Sequence, residues 1–240
     1  MSNIGSYDER IKNFDWSIAE KELDYEPGNV INIGWYCTDR ICLMGKAEKL
    51  YTYKDILLET NTIGQFLRDL GIKPEDRVCL FMDKIPELYL GFLGILKTGA
   101  IAQPLFSAFG DESLFIRLEN AQTRAIITQK KHAPKVRKII DKMPWLEFLI
   151  IVDQDPGKPL QQKEVALNLE QLPKVETFEI HPTLAESPSV LHYTSGTTGQ
   201  PKGVKHVHYS LISQYLTSKW VLDLRDNDIY WCTADPGWVT

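Results

Sequence analysis

Residues 193–203 read Tyr-Thr-Ser-Gly-Thr-Thr-Gly-Gln-Pro-Lys-Gly, bringing glycines, hydroxyl side chains and a lysine into one short loop. That combination suits a polyphosphate. Glycine has no Cβ, so backbone N–H groups at Gly196 and Gly199 can approach an oxyanion closely. Thr194, Ser195, Thr197 and Thr198 add hydroxyl donors, and Lys202 adds a mobile positive charge. The spacing is not Gly-x-x-x-x-Gly-Lys-Ser/Thr, because Pro201 stands where the second glycine would fall, so the loop is not that of an ordinary P-loop ATPase.

A solvated Gly/Ser/Thr linker has a similar composition. Three observations weigh against it. The apolar run Val190-Leu191-His192-Tyr193 reads as a short strand ending on the loop, and a helical stretch from Tyr209 to Trp220 follows. None of the chain's 32 acidic residues lies between Glu186 and Asp223. The same window holds Lys202, Lys205, His206, His208 and Lys219, so a chain of net charge −5 carries a local cationic patch where a triphosphate would sit.

These eleven positions resemble the phosphate-loop signature of the adenylate-forming superfamily: acyl-CoA synthetases, luciferases and peptide-synthetase adenylation domains. A second segment, Trp231-Cys232-Thr233-Ala234-Asp235-Pro236-Gly237-Trp238-Val239-Thr240, is similar to one carried by the acetate–CoA ligase branch. Ile33 to Arg40 and Leu50-Tyr51-Thr52-Tyr53 also look like that branch. The resemblance implies a two-step ligation. A carboxylate, acetate or a similar acid, attacks the α-phosphorus of ATP and releases pyrophosphate; CoA then displaces AMP from the acyl-adenylate.

By the same resemblance, Thr194, Ser195, Gly196, Thr197, Thr198 and Gly199 hold the β and γ phosphates, and Lys202 and Thr198 are the catalytic candidates. Trp238, Val239 and Thr240 form the acyl-pocket wall, and Lys135 and Arg137 contact the 3′-phosphate of CoA. Mg2+ would bridge the phosphates, as a hard cation that prefers oxygen ligands; no acidic cage for it is visible, and no metal is assigned to protein residues. A pocket wall discriminates acids modestly, about 1–3 kcal/mol per methylene, so a ligase for another short- or medium-chain acid is the alternative. A non-catalytic nucleotide- or phosphate-binding module is a second alternative. The resemblance also places the adenine motif, the ribose-gripping aspartate, the hinge and the small C-terminal domain beyond Thr240, so the isolated chain is expected not to turn over.

Other candidate groups are weaker. His206 and His208 lack a third ligand nearby and read as phosphate-proximal polarity or decoration of a helix start. Cys37, Cys42, Cys79 and Cys232 lack metal or redox spacing and read as structural thiols. The basic run Lys130 to Lys138 reads as a solvated helix face, too short and too poor in aromatics for nucleic acid. Trp231 reads as a core aromatic inside a strand spanning Ile229 to Cys232.

With 43% hydrophobic and 25% charged residues the chain can bury a sizeable core. Its first ten residues have neither a basic start nor an apolar centre, and its apolar runs are far shorter than the ~20 residues of a membrane helix. The expectation is a cytoplasmic enzyme part with small-molecule substrates and no nucleic-acid or membrane partner.

The elements that must position these groups alternate. Tyr53 to Leu70 reads as a helix capped by Thr52, with Asp55 at its third position and Gly71 as its stop. Strands follow at 77–82, 100–106, 125–128 and 148–152, with helices at 86–98, 111–121 and after Pro134. Gly91 and Gly94 should let the second helix pack closely, and Pro104 marks the end or edge of its strand. Asp153 to Gln162 is the best internal break. Short, wholly apolar strands separated by helices imply α/β architecture: repeated βα units forming a mostly parallel sheet covered by helices, the N-terminal part of the adenylate-forming large domain. Residues 1–50, with Phe14, Trp16 and Trp35 as anchors, are expected to form an irregular arm on the α/β portion, 51–240.

Overall fold

The computed structural model describes residues 3–34, 43–44, 50–155, 160–194, 200–225, 228–230 and 232–237. Two short helices, α1 (Tyr7–Lys12) and α2 (Ser17–Glu22), open the chain, and β1 (Leu43–Met44) pairs antiparallel with β2 (Leu50–Tyr51). Then come α3 (Tyr53–Asp69), β3 (Arg77–Phe81), α4 (Pro86–Lys97), β4 (Ile101–Pro104), α5 (Asp111–Ala121), β5 (Ala125–Thr128) and α6 (Ala133–Arg137). The chain continues through a 3-10 turn at Ile140–Lys142, β6 (Phe148–Ile151), β7 (Glu164–Ala166), β8 (Pro188–Thr194), β9 (Lys202–Val207) and α7 (Ser210–Trp220).

Among the described residues these strands form a seven-stranded sheet in the order β7-β6-β5-β3-β4-β8-β9. All neighbours are parallel except β8 and β9, which form an antiparallel hairpin. The apolar strands are buried on both faces and alternate between two cores. Val78 and Leu80 join Ile63, Leu67, Leu90 and Ile95 on the side of α3 and α4. Cys79 and Phe81 join Leu114, Leu118 and Val136 on the side of α5 and α6. The chain leaves β3 for β4 on one side and returns to β5 on the other. The carboxyl ends of the strands around β3 therefore open a crevice, the place where sheets of this kind bind ligands.

Local chemistry explains the helices. Thr52 and Asp55 close a reciprocal capping box on α3: Thr52 N donates to Asp55 Oδ2 at 2.8 Å and Asp55 N donates to Thr52 Oγ1 at 3.2 Å. Gly71, at φ +84°, ends it. The two glycines of α4 serve different neighbours. A Cβ at Gly91 would meet Leu80 of the sheet at 3.0 Å, and one at Gly94 would meet Ile63 of α3 at 2.7 Å. Pro104 ends β4 without making it an edge, since β8 lies beside it.

The structure corrects and extends these expectations. The run at 229–232 forms no strand among the described residues: Ile229 is 90% exposed and Cys232 is exposed too, because no neighbouring strand offers hydrogen bonds there. Strands β7 and β9 are additional; β9 draws its pairing from β8 and carries Lys202, Gly203 and Lys205 instead of an apolar run. Phe14 and Trp16 are partly exposed and pack edge-on against each other at 4.9 Å, and Phe14 also lies edge-on to Trp220 of α7 at 6.0 Å. The buried part of the arm's contact with α7 comes from Ala19, Tyr25 and Ile31, packed on Ile212 and Leu216. Trp35, Cys37, Cys42 and Trp231 lie outside the described residues.

The edge at which the parallel strands begin is tightly cross-tied. Arg124, entering β5, donates to Asp76 at 2.5 Å, Glu147 at 2.8 Å and the Gly71 carbonyl at 2.9 Å. Lys97 is fully buried and donates to Thr60 Oγ1 and Asn61 Oδ1, each at 2.8 Å. Asn32 donates to the Leu96 carbonyl at 2.8 Å, and His208, fully buried, accepts from Ile33 N at Nδ1, 3.2 Å away. Burial lowers the His208 pKa to about 4, with His181 adding to the effect, which leaves the ring neutral in the folded protein. His208 therefore sits at the edge remote from the phosphate loop. Of its two expected readings, phosphate-proximal polarity fails because β9 runs antiparallel and carries its end away, while a place at a helix start holds, since α7 begins two residues on and Leu211 N donates to the His208 carbonyl at 3.2 Å.

Candidate functional site at the carboxyl edge

β8 lies parallel to β4, with Val190 opposite Ala102, so it delivers Thr194 to the same edge as the ends of β3, β4 and β5. Tyr193 is buried on the α5 face, where its hydroxyl donates to Asn120 Oδ1 at 2.7 Å. Burial pushes its pKa up to about 12, so the phenol keeps its proton and its hydrogen bond. The hairpin register sets Thr194 opposite Lys202, His192 opposite Val204 and Val190 opposite His206. With alternating side chains, Thr194, His192, Lys202 and His206 share one face. Lys202 and Lys205 are exposed. Ser195, Gly196, Thr197, Thr198 and Gly199 lie outside the described residues, and Thr194 and Lys202 are the two ends between which they run.

The second motif reaches the same edge. Lys84, just past β3, donates from Nζ to the Thr233 carbonyl at 2.5 Å. Gly237 N donates to Asp235 Oδ1 at 2.8 Å. Gly237 packs on the backbone of Leu105 and Phe106 so closely that a Cβ would collide with both. The His192 ring lies edge-on to His206 at a centroid distance of 5.4 Å. Burial, and then His206, hold its pKa below the ordinary histidine value. Tyr89 of α4 is raised by burial and by Cys232 and Asp235 beside it. Trp238, Val239 and Thr240 lie outside the described residues. The structure thus brings Thr194 and Lys202, the described ends of the glycine-rich motif, to the same edge as the segment Thr233–Gly237.

Within the basic run Lys130, Lys131 and Lys138 are exposed, as a solvated face requires, while Lys135 and Arg137 are half-buried. α6 spans five residues, and Ala133 and Val136 are buried. Lys130 pairs with Asp155 at 2.6 Å, and His132 Nε2 lies 2.7 Å from Asp83 Oδ1. Lys131 also pairs with Asp83, and together these two neighbours hold that carboxyl below the usual carboxylate range, Lys131 most strongly. Lys135 Nζ donates to the carbonyls of Ser107 at 2.9 Å and Phe109 at 3.0 Å. Arg137 Nε donates to Glu164 Oε1 at 2.7 Å. The run crosses the ends of β3 and β6, where acids brought by topology meet it.

Sequence reading missed Lys84 and Asn120. Lys84 carried one usable signal, its place immediately after an apolar strand; Asn120 carried none, because its contact with Tyr193 spans 73 positions. Among the described residues no group of three or more His, Cys, Asp or Glu side chains could hold a metal ion. No helix among them is long and apolar enough to cross a membrane.

A family model described as AMP-binding enzyme matches residues 35–240. An acetyl-coenzyme A synthetase of Bacillus subtilis is 38% identical over 99% of this chain and 43% of its own length. One from Pyrobaculum arsenaticum is 35% identical over 79% of this chain and 31% of its own length. Among solved structures, the Brucella canis acyl-CoA synthetase superposes with a TM-score of 0.82 at 25% identity, over 97% of this chain and 43% of that one. The chain therefore spans less than half the length of these relatives.

Proposed function

Because this chain belongs to the AMP-binding enzyme family, we propose that it is the phosphate- and acid-facing part of an AMP-forming acyl-CoA ligase, with acetate as the acid. The observation that carries this reading is the convergence of Thr194, Lys202 and the segment Thr233–Gly237 on one sheet edge. The complete reaction is assigned to a protein of the relatives' extent.

In the first step the acid's carboxylate oxygen forms a bond to the α-phosphorus while the bond from that phosphorus to the bridging oxygen breaks, and pyrophosphate leaves with added charge. Donors fixed beforehand stabilise that charge more in the transition state than in bound ATP. Thr194 to Gly199 are assigned to the β and γ phosphates, Thr198 as a hydroxyl donor and Lys202 as the ammonium. In the second step the CoA sulfur attacks the acyl carbon, the carbon–oxygen bond to AMP breaks and the thiol proton is released. Trp238, Val239 and Thr240 are assigned to the acid. Lys135 and Arg137 are assigned to the CoA 3′-phosphate; each would exchange its present partner, the Ser107 and Phe109 carbonyls or Glu164, for the anion. The described residues offer magnesium no carboxylate set, so Mg2+ is assigned to the phosphates as part of the substrate. The reading carries a cytoplasmic location, where ATP and CoA are held.

Calorimetric titration of Mg·ATP and of pyrophosphate into the chain tests the phosphate assignment. Binding that weakens in Lys202→Ala supports it, and absence of binding, or affinity indifferent to Lys202, overturns it. Acid-dependent pyrophosphate exchange with acetate and propionate, in a protein of the relatives' full extent, ranks the acids.

A further inference from the structure

The two motifs at the carboxyl edge share one mount, helix α5. Asn120 of this helix accepts the Tyr193 hydroxyl at 2.7 Å, one residue before Thr194. One turn back along the helix, Arg117 lays its guanidinium over the Phe109 ring, 4.1 Å from the ring centroid. Phe109 closes the turn that follows β4: its N–H donates to the Phe106 carbonyl at 3.0 Å, and its ring stands edge-on to that of Phe106 at 5.7 Å. Gly237 rests on this turn backbone to backbone, for a Cβ there would lie 2.2 Å from Phe106 N and 2.4 Å from the Leu105 carbonyl carbon. We propose that Arg117 is a positioning residue that holds the 106–109 turn as the seat of the Thr233–Gly237 segment, and so fixes that segment relative to Thr194. Its bearing on ligation rests on the reading of the two motifs given above.

The chemistry of the guanidinium separates positioning from plain stabilisation. Arg117 is only 8% exposed; it donates from Nη1 to the Ser113 carbonyl at 2.8 Å, and its buried Nε–H meets no acceptor among the described residues. A buried cation with an idle donor is a poor source of stability, and an apolar side chain in its place commonly does as well or better. What an aliphatic side chain cannot supply is a flat cationic face on the aromatic ring. The backbone from which that face projects is itself fixed, because Gln103, buried on β4, donates to the Arg117 carbonyl at 3.4 Å and accepts from Thr123 Oγ1 at 2.6 Å. Lys135 also holds the turn, through the Ser107 and Phe109 carbonyls, but it is assigned above to the 3′-phosphate of CoA. Arg117 is the hold that remains when Lys135 turns to the anion.

Amide hydrogen exchange, measured by NMR in the chain itself, tests this. The Phe109 amide reports the turn, the Gly237 amide, bonded to Asp235 Oδ1, reports the segment, and the ladder amides of β3 and β5 serve as references. In Arg117→Leu both reporters are expected to exchange about tenfold faster or more, with the references within about threefold of the parent. Phe109→Leu, which removes the ring and leaves the cation, should give the same pattern, and Arg117→Lys, which keeps a cation for the ring, should return both reporters to within about threefold of the parent. Unchanged reporters in Arg117→Leu overturn the proposal. So does acceleration of Phe109 alone, which would confine Arg117 to its own turn, equal acceleration of the references, which would make it a general stabiliser, or a lysine variant no slower than the leucine one. If Arg117→Leu fails to fold, Phe109→Leu decides: acceleration at both reporters supports the proposal and unchanged exchange overturns it. The measurement uses no ligand, so its failure leaves the ligase reading standing, and failure of pyrophosphate binding leaves the positioning role standing.

Discussion

At the amino edge of the sheet Arg124 is clasped by Asp76 and Glu147, and Lys97 is sealed against Thr60 and Asn61. At the carboxyl edge Lys202 and Lys205 stand exposed on β9, in a stretch without a single acidic residue from Glu186 to Asp223. The same residue types are used in both places. A cation enclosed by its own fold contributes to stability, because removing it strands desolvated partners. A cation left in water beside a glycine-rich bend contributes little to folding and remains able to meet an anion. Lys135 and Arg137 fall between the extremes, half-buried and occupied by carbonyls or a carboxylate.

The largest expected effect is at the amino edge. Lys97→Ala leaves a cavity and takes the ammonium donor from the Asn61 Oδ1 acceptor, and should lower the unfolding free energy by roughly 3 kcal/mol in urea titrations. Lys202→Ala should stay within about 0.5 kcal/mol of the parent. Equal losses at the two sites would erase the contrast.

Acid provides a second probe of the amino edge. His208 has a folded pKa of about 4 against an ordinary value of 6.5, so the folded state favours its neutral form. The associated stability is present above pH 6.5, declines as pH falls from 6.5 towards 4, and amounts to about 3 kcal/mol when fully lost. Unfolding free energies measured from pH 7 to 4 should fall more steeply for the parent than for His208→Leu. Parallel curves would remove His208 from the argument.

The third effect is smaller and reverses the emphasis. Lys202→Ala should weaken pyrophosphate binding about tenfold, the ~1.4 kcal/mol of one exposed charge-assisted hydrogen bond, as read by calorimetry. Smallest of all, Thr52→Ala should cost about 1 kcal/mol in denaturant while leaving pyrophosphate affinity alone. A capping threonine near the carboxyl edge that altered that affinity would blur the division between architecture and binding.

The helices and apolar strands were legible because each announces itself locally. Thr52 and Asp55 sit three positions apart, Gly71 follows a full helix, and runs such as Val78-Cys79-Leu80-Phe81 suit only a strand covered on both faces. β9 was illegible for the opposite reason: Lys202-Gly203-Val204-Lys205 has no strand pattern, and its pairing comes from β8 across the loop. The run Ile229 to Cys232 erred the other way, since β propensity without a neighbouring strand yields an exposed segment. At the candidate site, residue chemistry singled out the two motifs, but the arrival of their described residues at one edge, with Thr233 on Lys84 and Gly237 on Phe106, depends on topology. In the basic run the exposed lysines were legible, but the acids that pair with its cations, Asp83, Asp155 and Glu164, are brought there by topology and left no local signal.

The pairing of Thr194 with Lys202 makes the hairpin a ruler. Strand side chains alternate with a period of two, so adding or removing one residue between those positions would turn the ammonium group to the opposite side of the ribbon unless a bulge absorbed the change. The number of residues between Thr194 and Lys202 is therefore constrained more tightly than their lettering: a threonine exchanged for serine is a small perturbation, whereas one residue too many would turn the ammonium group to the other face while leaving the rest of the sheet intact.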